Sequence, residues 1–304
     1  MALSRETLEK AFYDFILRVS TGMPEDIYLA IKRAYETEEN PVAKTQLEAI
    51  LKDMNIACSE TRPICQDTGT PYLWVEIGED FPLKPLVIEE AFKSALRKAT
   101  KEGYLRPNAV DPLYAKNSGD NTGRFIPWVH YEPVPGDKLT VRLLFKGGGS
   151  EAPSTLIMST PLKGFENLYT GVIDTIVRYG PLPCPPLIVG VAIGAGADIV
   201  MSLAKKALLR PIGQRHPDPK AAKIEEELLE AINKLGVGPH GFGGKYTALD
   251  VKFEYAHRHP ATFAIGIVTG CWATRRGTIQ FESDGSYRIL SKHLVPEGGA
   301  CVIR

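Results

Sequence analysis

The sequence predicts an α+β fold, and three observations carry that expectation. Residues 4–56 read as helices, because apolar side chains such as Leu47, Ile50, Leu51 and Met54 recur at helical spacing. Beyond them, short apolar runs suited to strands, such as 139–145 and 187–193, are separated by amphipathic helical segments. Near the end, the runs at 246–256 and through 267 flank only the turn His257-Arg258-His259-Pro260, and 278–304 read as a strand pair with a tail. No internal repeat, low-complexity tract or long linker interrupts the 304 residues, so a single domain is expected. It would consist of an N-terminal helical layer over 1–56, packed on a mixed α/β body with antiparallel sheets over 57–280, and a C-terminal tail over 281–304.

The individual elements follow from local chemistry. Asn40 is a suitable N-cap with Pro41 in the first turn, and Pro24 before Glu25 and Asp26 opens the preceding helix in the same way. Ile88, Phe92, Leu96 and Ala99 share one face of a helix over 85–102, which Gly103 ends. Leu168, Val172 and Ile176 mark a helix over 166–179, a further helix covers 198–209, and Ile224, Leu228 and Ile232 mark one over 218–235. The stretch 103–122 is polar and rich in turn formers, yet its Tyr104, Leu105, Leu113 and Tyr114 argue for an ordered loop.

The totals exclude several classes. Thirty-six basic and 36 acidic side chains cancel, and no long charge run offers an anchor for nucleic acid or an anionic membrane. No apolar run is long enough to span a bilayer, and the N-terminus lacks an apolar signal core, so a cytoplasmic protein is expected. Five widely spaced cysteines in a chain of this length do not make a disulfide framework, so they are expected to be free or metal-bound.

Four stretches carry chemistry. In Ile64-Cys65-Gln66-Asp67-Thr68-Gly69-Thr70 a thiol stands beside an amide, a carboxylate and a hydroxyl, on a turn where a strand begins. Lys146-Gly147-Gly148-Gly149-Ser150-Glu151 follows a strand, and its glycines let the backbone approach an anion; it is not a Walker loop, and a flexible hinge reads the same way. In Leu182-Pro183-Cys184-Pro185-Pro186 prolines stiffen the chain around a second cysteine. Gly270-Cys271-Trp272-Ala273 places a third on a glycine turn at a strand end. Arg106 suits a carboxylate, although a solvated surface arginine leaves the same trace. Gly194 and Gly196 do not complete a dinucleotide fingerprint, because Ile199 stands where the third glycine belongs.

Cys65, Cys184 and Cys271 share a setting that Cys58 and Cys301 lack, and no local Cys-x-x-Cys pair of the kind typical of structural zinc or ferredoxin sites accompanies them. Three thiolates from distant loops suit a four-iron cluster with one iron left open as a Lewis acid, which favours a dehydratase over an electron carrier. A cluster-carrying redox or binding protein and a zinc-structural protein remain alternatives at this point.

Taken together and in this order, the four stretches resemble the class I fumarate hydratase family, which includes the alpha subunits of two-component fumarases and of L(+)-tartrate dehydratases. The resemblance runs from the N-terminal helices to about Gln280. It implies that Cys65, Cys184 and Cys271 ligate a [4Fe-4S] cluster. It implies substrate contacts by Gln66, Arg106, Gly148 and Gly149, with Asp67 and His259 as catalytic residues and His257 as the rival of His259. The reaction implied is the interconversion of (S)-malate with fumarate and water, with L(+)-tartrate or mesaconate as alternative C4 dicarboxylate substrates. Single-chain members carry a second domain that supplies further arginines, a lysine and the base for the carbon-bound proton. The resemblance therefore implies a separate beta subunit as partner, in a dimer of the alpha chain or a heterotetramer.

Overall fold

The computed structural model describes residues 3–298 and 300–304. The order opens with three helices, α1 (Arg5–Thr21), α2 (Glu25–Thr37) and α3 (Pro41–Ser59), then β1 (Thr70–Gly78) and α4 (Pro85–Lys101). A small hairpin of β2 (Val110–Asp111) and β3 (Lys116–Asn117) precedes β4 (Trp128–Val134), β5 (Leu139–Lys146), the single turn α5 (Gly148–Glu151) and β6 (Thr155–Ser159). There follow α6 (Gly164–Tyr179), β7 (Leu187–Ile193), α7 (Ala197–Ala207), α8 (Pro219–Lys234), β8 (Ala248–Tyr255) and β9 (Phe263–Gly270). The chain closes with β10 (Arg275–Phe281), β11 (Tyr287–Ile289), β12 (Leu294–Glu297) and β13 (Ala300–Ile303). This is an α+β fold with mixed sheets, as expected.

The chain divides into two compact units, each built from separate stretches of sequence. The first comprises Met1–Glu25, Asp53–Gly147 and Arg275–Arg304; the second comprises Asp26–Lys52 and Gly148–Thr274. The N-terminal helices are thus shared out, α1 to the first unit and nearly all of α2 to the second.

In the first unit five strands pair in the order β11-β10-β5-β1-β4, antiparallel except for β1 with β4. Helices α1 and α4 cover the sheet. Ser4 caps α1 by accepting the Thr7 N–H at 3.2 Å, and Leu8, Phe12, Phe15, Ile16 and Val19 turn one stripe inward. Phe12 meets Phe92 and Phe281 edge-on, with ring centroids 5.4 and 5.2 Å apart, the arrangement the ring quadrupoles favour. A disulfide joins Cys58 at the end of α3 to Cys301 in the β12–β13 hairpin. This corrects the expectation that every cysteine is free or metal-bound: the fold brings the two Cα atoms to 6.2 Å, across a sequence separation of 243.

In the second unit four strands pair in the order β6-β9-β7-β8, parallel only for β7 with β8. Leu168, Val172 and Ile176 of α6 and Leu228 and Ile232 of α8 pack with Val189, Val191, Ile265 and Ile267 on one face. The other face receives α7 at such close range that a Cβ on Gly190 would stand 2.1 Å from the Ala204 carbonyl oxygen. Among the described residues, no helix is long and apolar enough to cross a membrane.

Candidate functional site

The Cys65 turn in the first unit is held by a polar network. Gly69 takes a φ of +81°, and a Cβ there would lie 2.8 Å from the Lys146 backbone nitrogen, so only glycine fits against β5. The Gly69 N–H donates to Asp67 Oδ1 at 3.0 Å, a local turn that fixes the aspartate carboxylate. Thr68 Oγ1 accepts from the Arg106 N–H at 3.0 Å and from Asn108 Nδ2 at 3.1 Å. Asn108 Nδ2 also reaches the Gly69 carbonyl at 3.3 Å. Asn121, buried and left-handed at φ 61°, completes the lattice, its Nδ2 donating to the Arg106 carbonyl at 2.6 Å and its Oδ1 accepting from the Asn108 N–H at 2.6 Å. Cys65, Gln66, Asp67 and Arg106 are therefore brought together in one unit. Cys65 and Asp67 are half-buried, whereas Gln66 and Arg106 are exposed. The Arg106 guanidinium makes no hydrogen bond or ion pair among the described residues, which leaves it available to a carboxylate.

Behind this turn lies Arg275, the first residue of β10. Its side chain is 2% exposed and its Nη2 donates to the Asp67 carbonyl oxygen at 2.8 Å.

The second unit gathers Gly149, Cys184 and Cys271. Cys184 precedes β7 and Cys271 follows β9, and Ile188 pairs with Gly270, so both cysteines sit at the same end of the sheet. The Trp272 N–H donates to the Cys184 carbonyl at 3.3 Å, which ties the two loops directly. Cys184 is exposed and takes a φ of 55°, a conformation that strains a side-chain-bearing residue and is characteristic of functional positions. The Cys271 carbonyl accepts from Thr274 Oγ1 at 2.6 Å. A Cβ on Gly149 would stand 3.5 Å from the Leu182 carbonyl, so the glycine turn borders the Cys184 loop. Gly148 and Gly149 are exposed and open the short helix α5, where an irregular loop was expected. Thr269 Oγ1 anchors that turn by donating to the Ser150 carbonyl at 2.9 Å.

His259 is not brought to these cysteines within the second unit. It lies on the exposed loop between β8 and β9, at the opposite end of the sheet, roughly 20 Å away by strand rise. The antiparallel course of β9 is the reason: it starts beside the histidines and finishes at Cys271. His259 Nδ1 accepts from the Ala261 N–H at 3.1 Å, and Arg258 braces the loop through the carbonyls of His259, Pro260 and Thr262. His257, the rival, is exposed on the same loop, its carbonyl accepting from the Ala195 N–H at 3.1 Å.

Sequence reasoning missed Asn108, Asn121, Arg275 and His240. Asn121 had a readable signal, an asparagine within a run of turn formers, where this residue tolerates positive φ. His240 had little. Its N–H donates to the Pro185 carbonyl at 2.9 Å, its ring lies 6.3 Å from the Trp272 ring, and burial lowers its pKa and favours the neutral imidazole.

A separate pocket of about 500 Å³ is lined by residues of 109–126, including Val110, Leu113, Tyr114 and Arg124; none of the expected site residues lines it.

Residues 9–280 match the family described as Fumarate hydratase (Fumerase). The chain belongs to that family. A putative L(+)-tartrate dehydratase subunit alpha of Methanocaldococcus jannaschii is 42% identical over 265 residues, covering 86% of this chain and 93% of the relative. The L(+)-tartrate dehydratase subunits alpha of Escherichia coli K12 and Shigella sonnei are each 37% identical over 279 residues, covering 91% of this chain and 92% of the relative.

The donor set of this family member fits an iron–sulfur cluster. With Cys58 and Cys301 paired, the cysteines outside a disulfide are Cys65, Cys184 and Cys271, the three on loops at strand ends. Thiolates are the soft ligands that iron–sulfur clusters select. Among the described residues no three His, Cys, Asp or Glu side chains are grouped around the position of a single metal ion. A four-iron cube does not ask for that, since each thiolate binds a different iron.

Proposed function

We propose that this chain is the alpha subunit of a [4Fe-4S] hydro-lyase that interconverts (S)-malate with fumarate and water. The observation that carries the proposal is the set of three thiols outside the disulfide, each on a loop at a strand end, in a chain of the fumarate hydratase family. Cys65, Cys184 and Cys271 would hold the cluster, and when bound it would supply Lewis acidity to a substrate oxygen.

The chain's own residues divide the remaining work. Asp67, its carboxylate fixed by the Gly69 N–H, delivers a proton to the departing oxygen or takes it back in the reverse direction. Arg106, on backbone locked to Thr68 and Asn121, binds a substrate carboxylate with its unengaged guanidinium. Gln66 adds a hydrogen bond from its exposed amide, and Gly148 and Gly149 present backbone unshielded by side chains. His259, which the resemblance offers as a further catalytic residue, would act from the far end of its sheet relative to Cys184 and Cys271. The base for the carbon-bound proton would come from a beta subunit, a partner supported by the relatives' designation as alpha subunits. A cytoplasmic location and an assembly of paired alpha chains, alone or in a heterotetramer, belong to the same reading.

A second reading, L(+)-tartrate as the substrate, is favoured by the names of the relatives. The deciding experiment is an anoxic assay of the chain, reconstituted with its beta subunit, on fumarate, (S)-malate, L(+)-tartrate and mesaconate. Turnover of fumarate and malate ahead of tartrate supports the first reading. Turnover of tartrate alone replaces it with the second, and inertness on all four removes both.

A further inference from the structure

Among the described residues Arg275 is one of the largest side chains that is almost fully buried, at 2% exposed. It forms no ion pair with a carboxylate among the described residues, and its Nε and Nη1 have no hydrogen-bond partner. A buried guanidinium without a counter-ion is costly, and replacing such a charge with an apolar side chain of similar length is often neutral or stabilising. Packing alone does not account for an arginine here. Its one protein hydrogen bond goes to the carbonyl of Asp67, and because no carboxylate neutralises the cation, that charge-assisted bond keeps its full strength.

The placement is mechanical as well as electrostatic. Arg275 is anchored in β10 by pairing with Phe145 of β5, while the neighbouring Lys146 backbone stands against Gly69. The turn is thus gripped from two sides: β5 abuts Gly69, and Arg275 holds the carbonyl of Asp67. We propose that Arg275 is the positioning residue of the reaction: it fixes the peptide that carries Asp67, so that the carboxylate is presented in a single orientation. This inference rests on the hydro-lyase reading for the role of Asp67, but the grip on the loop is a property of this chain alone.

Two variants test it, Arg275→Met, which keeps length and removes every donor, and Arg275→Lys, which keeps one donor able to reach the Asp67 carbonyl. Hydrogen exchange is measured over 65–70 in the full chain without its beta subunit, with the amides of β5 as the internal control. Turnover is measured in the anoxic reconstituted pair with iron and sulfide counted. The expected results for Arg275→Met are unchanged exchange in β5, exchange over 65–70 faster by about tenfold or more, and full iron content. Its kcat falls by about 10- to 100-fold with KM little changed, the signature of a misplaced reacting group. Arg275→Lys lies between it and the wild type on both measures. A purely structural arginine would instead give Arg275→Met an equal or higher Tm, with exchange over 65–70 and kcat as in the wild type; unchanged exchange, or faster exchange with full turnover, overturns the proposal. A wild-type pair inert on every dicarboxylate sinks the hydro-lyase reading separately, and the exchange measurement then still decides whether Arg275 holds the loop.

Discussion

Asp67 is held at both its backbone and its side chain, its carbonyl by Arg275 and its Oδ1 by the Gly69 N–H. Asp67→Asn preserves the shape of the turn and removes the proton-transfer group. In the reconstituted pair it should retain iron and sulfide while kcat falls by about 100-fold or more; near wild-type turnover would take Asp67 out of the mechanism. The cysteines give a paired test. Cys184→Ser should abolish the cluster, whereas Cys58→Ser, which breaks a disulfide in the first unit, should leave the iron and sulfide count intact. Full iron and sulfide in both variants would show the ligand assignment to be wrong. His293 supplies a test of stability. It is fully buried, and desolvation lowers its pKa from 6.5 to about 4, although the carbonyls of Arg276 and Ser291 at 2.9 and 3.1 Å partly favour the cation. The unfolded chain therefore binds a proton that the folded one refuses between about pH 6.5 and 4. Stability should fall as pH drops through that window and be insensitive to this group above it. In urea titrations from pH 7.5 to 4.5, His293→Gln should flatten the acid slope; an unchanged slope would exclude His293 as its source.

At the scale of elements, the sequence was legible wherever order is local. Helical spacing found α4, α6 and α8 with ends within a few residues, because each buries one apolar stripe. Turn chemistry put Cys65 before β1 and Cys271 after β9. What escaped were consequences of pairing between distant segments. Nothing near Cys58 indicates Cys301, since connectivity is set by the fold and cannot be deduced from spacing. The position of His259 escaped for a related reason. It lies twelve residues before Cys271 in sequence, yet a strand between them carries it to the other end of the sheet. The disulfide has a measurable consequence of its own. By closing a loop of 243 residues it removes conformational freedom from the unfolded chain, worth about 5.5 kcal/mol in the chain-entropy account. Reduction of the wild-type chain should lower its Tm, while the double variant Cys58→Ser, Cys301→Ser should start from the lower value and not respond to reductant. Identical melting of both proteins with and without reductant would show that the bond does not form.

For the molecule as a whole, the chain passes between its two units four times, at Glu25 and Asp26, Lys52 and Asp53, Gly147 and Gly148, and Thr274 and Arg275. The last two crossings fall inside or beside stretches singled out for chemistry, the glycine turn after β5 and the cysteine turn after β9. Each unit supplies part of the proposed set, Cys65, Gln66, Asp67 and Arg106 from the first and Gly148, Gly149, Cys184 and Cys271 from the second. Among these residues Asp67 and Arg106 are the charged groups, and they are assigned to the departing oxygen and to one carboxylate. A C4 dicarboxylate has a second carboxylate, and its dehydration needs a base for the carbon-bound proton as well. Within the proposed set both tasks are left to the partner. The chain alone should therefore bind iron and sulfide in equal amounts under anoxia and show turnover lower by about 10²-fold or more than the pair, the usual contribution of one positioned acid–base group. Adding the beta subunit should restore activity with a saturable dependence on its concentration, and brief exposure to air should abolish it in parallel with iron loss. Full activity of the isolated chain would show that the base lies within these 304 residues and would reopen the assignment of His240 and His259.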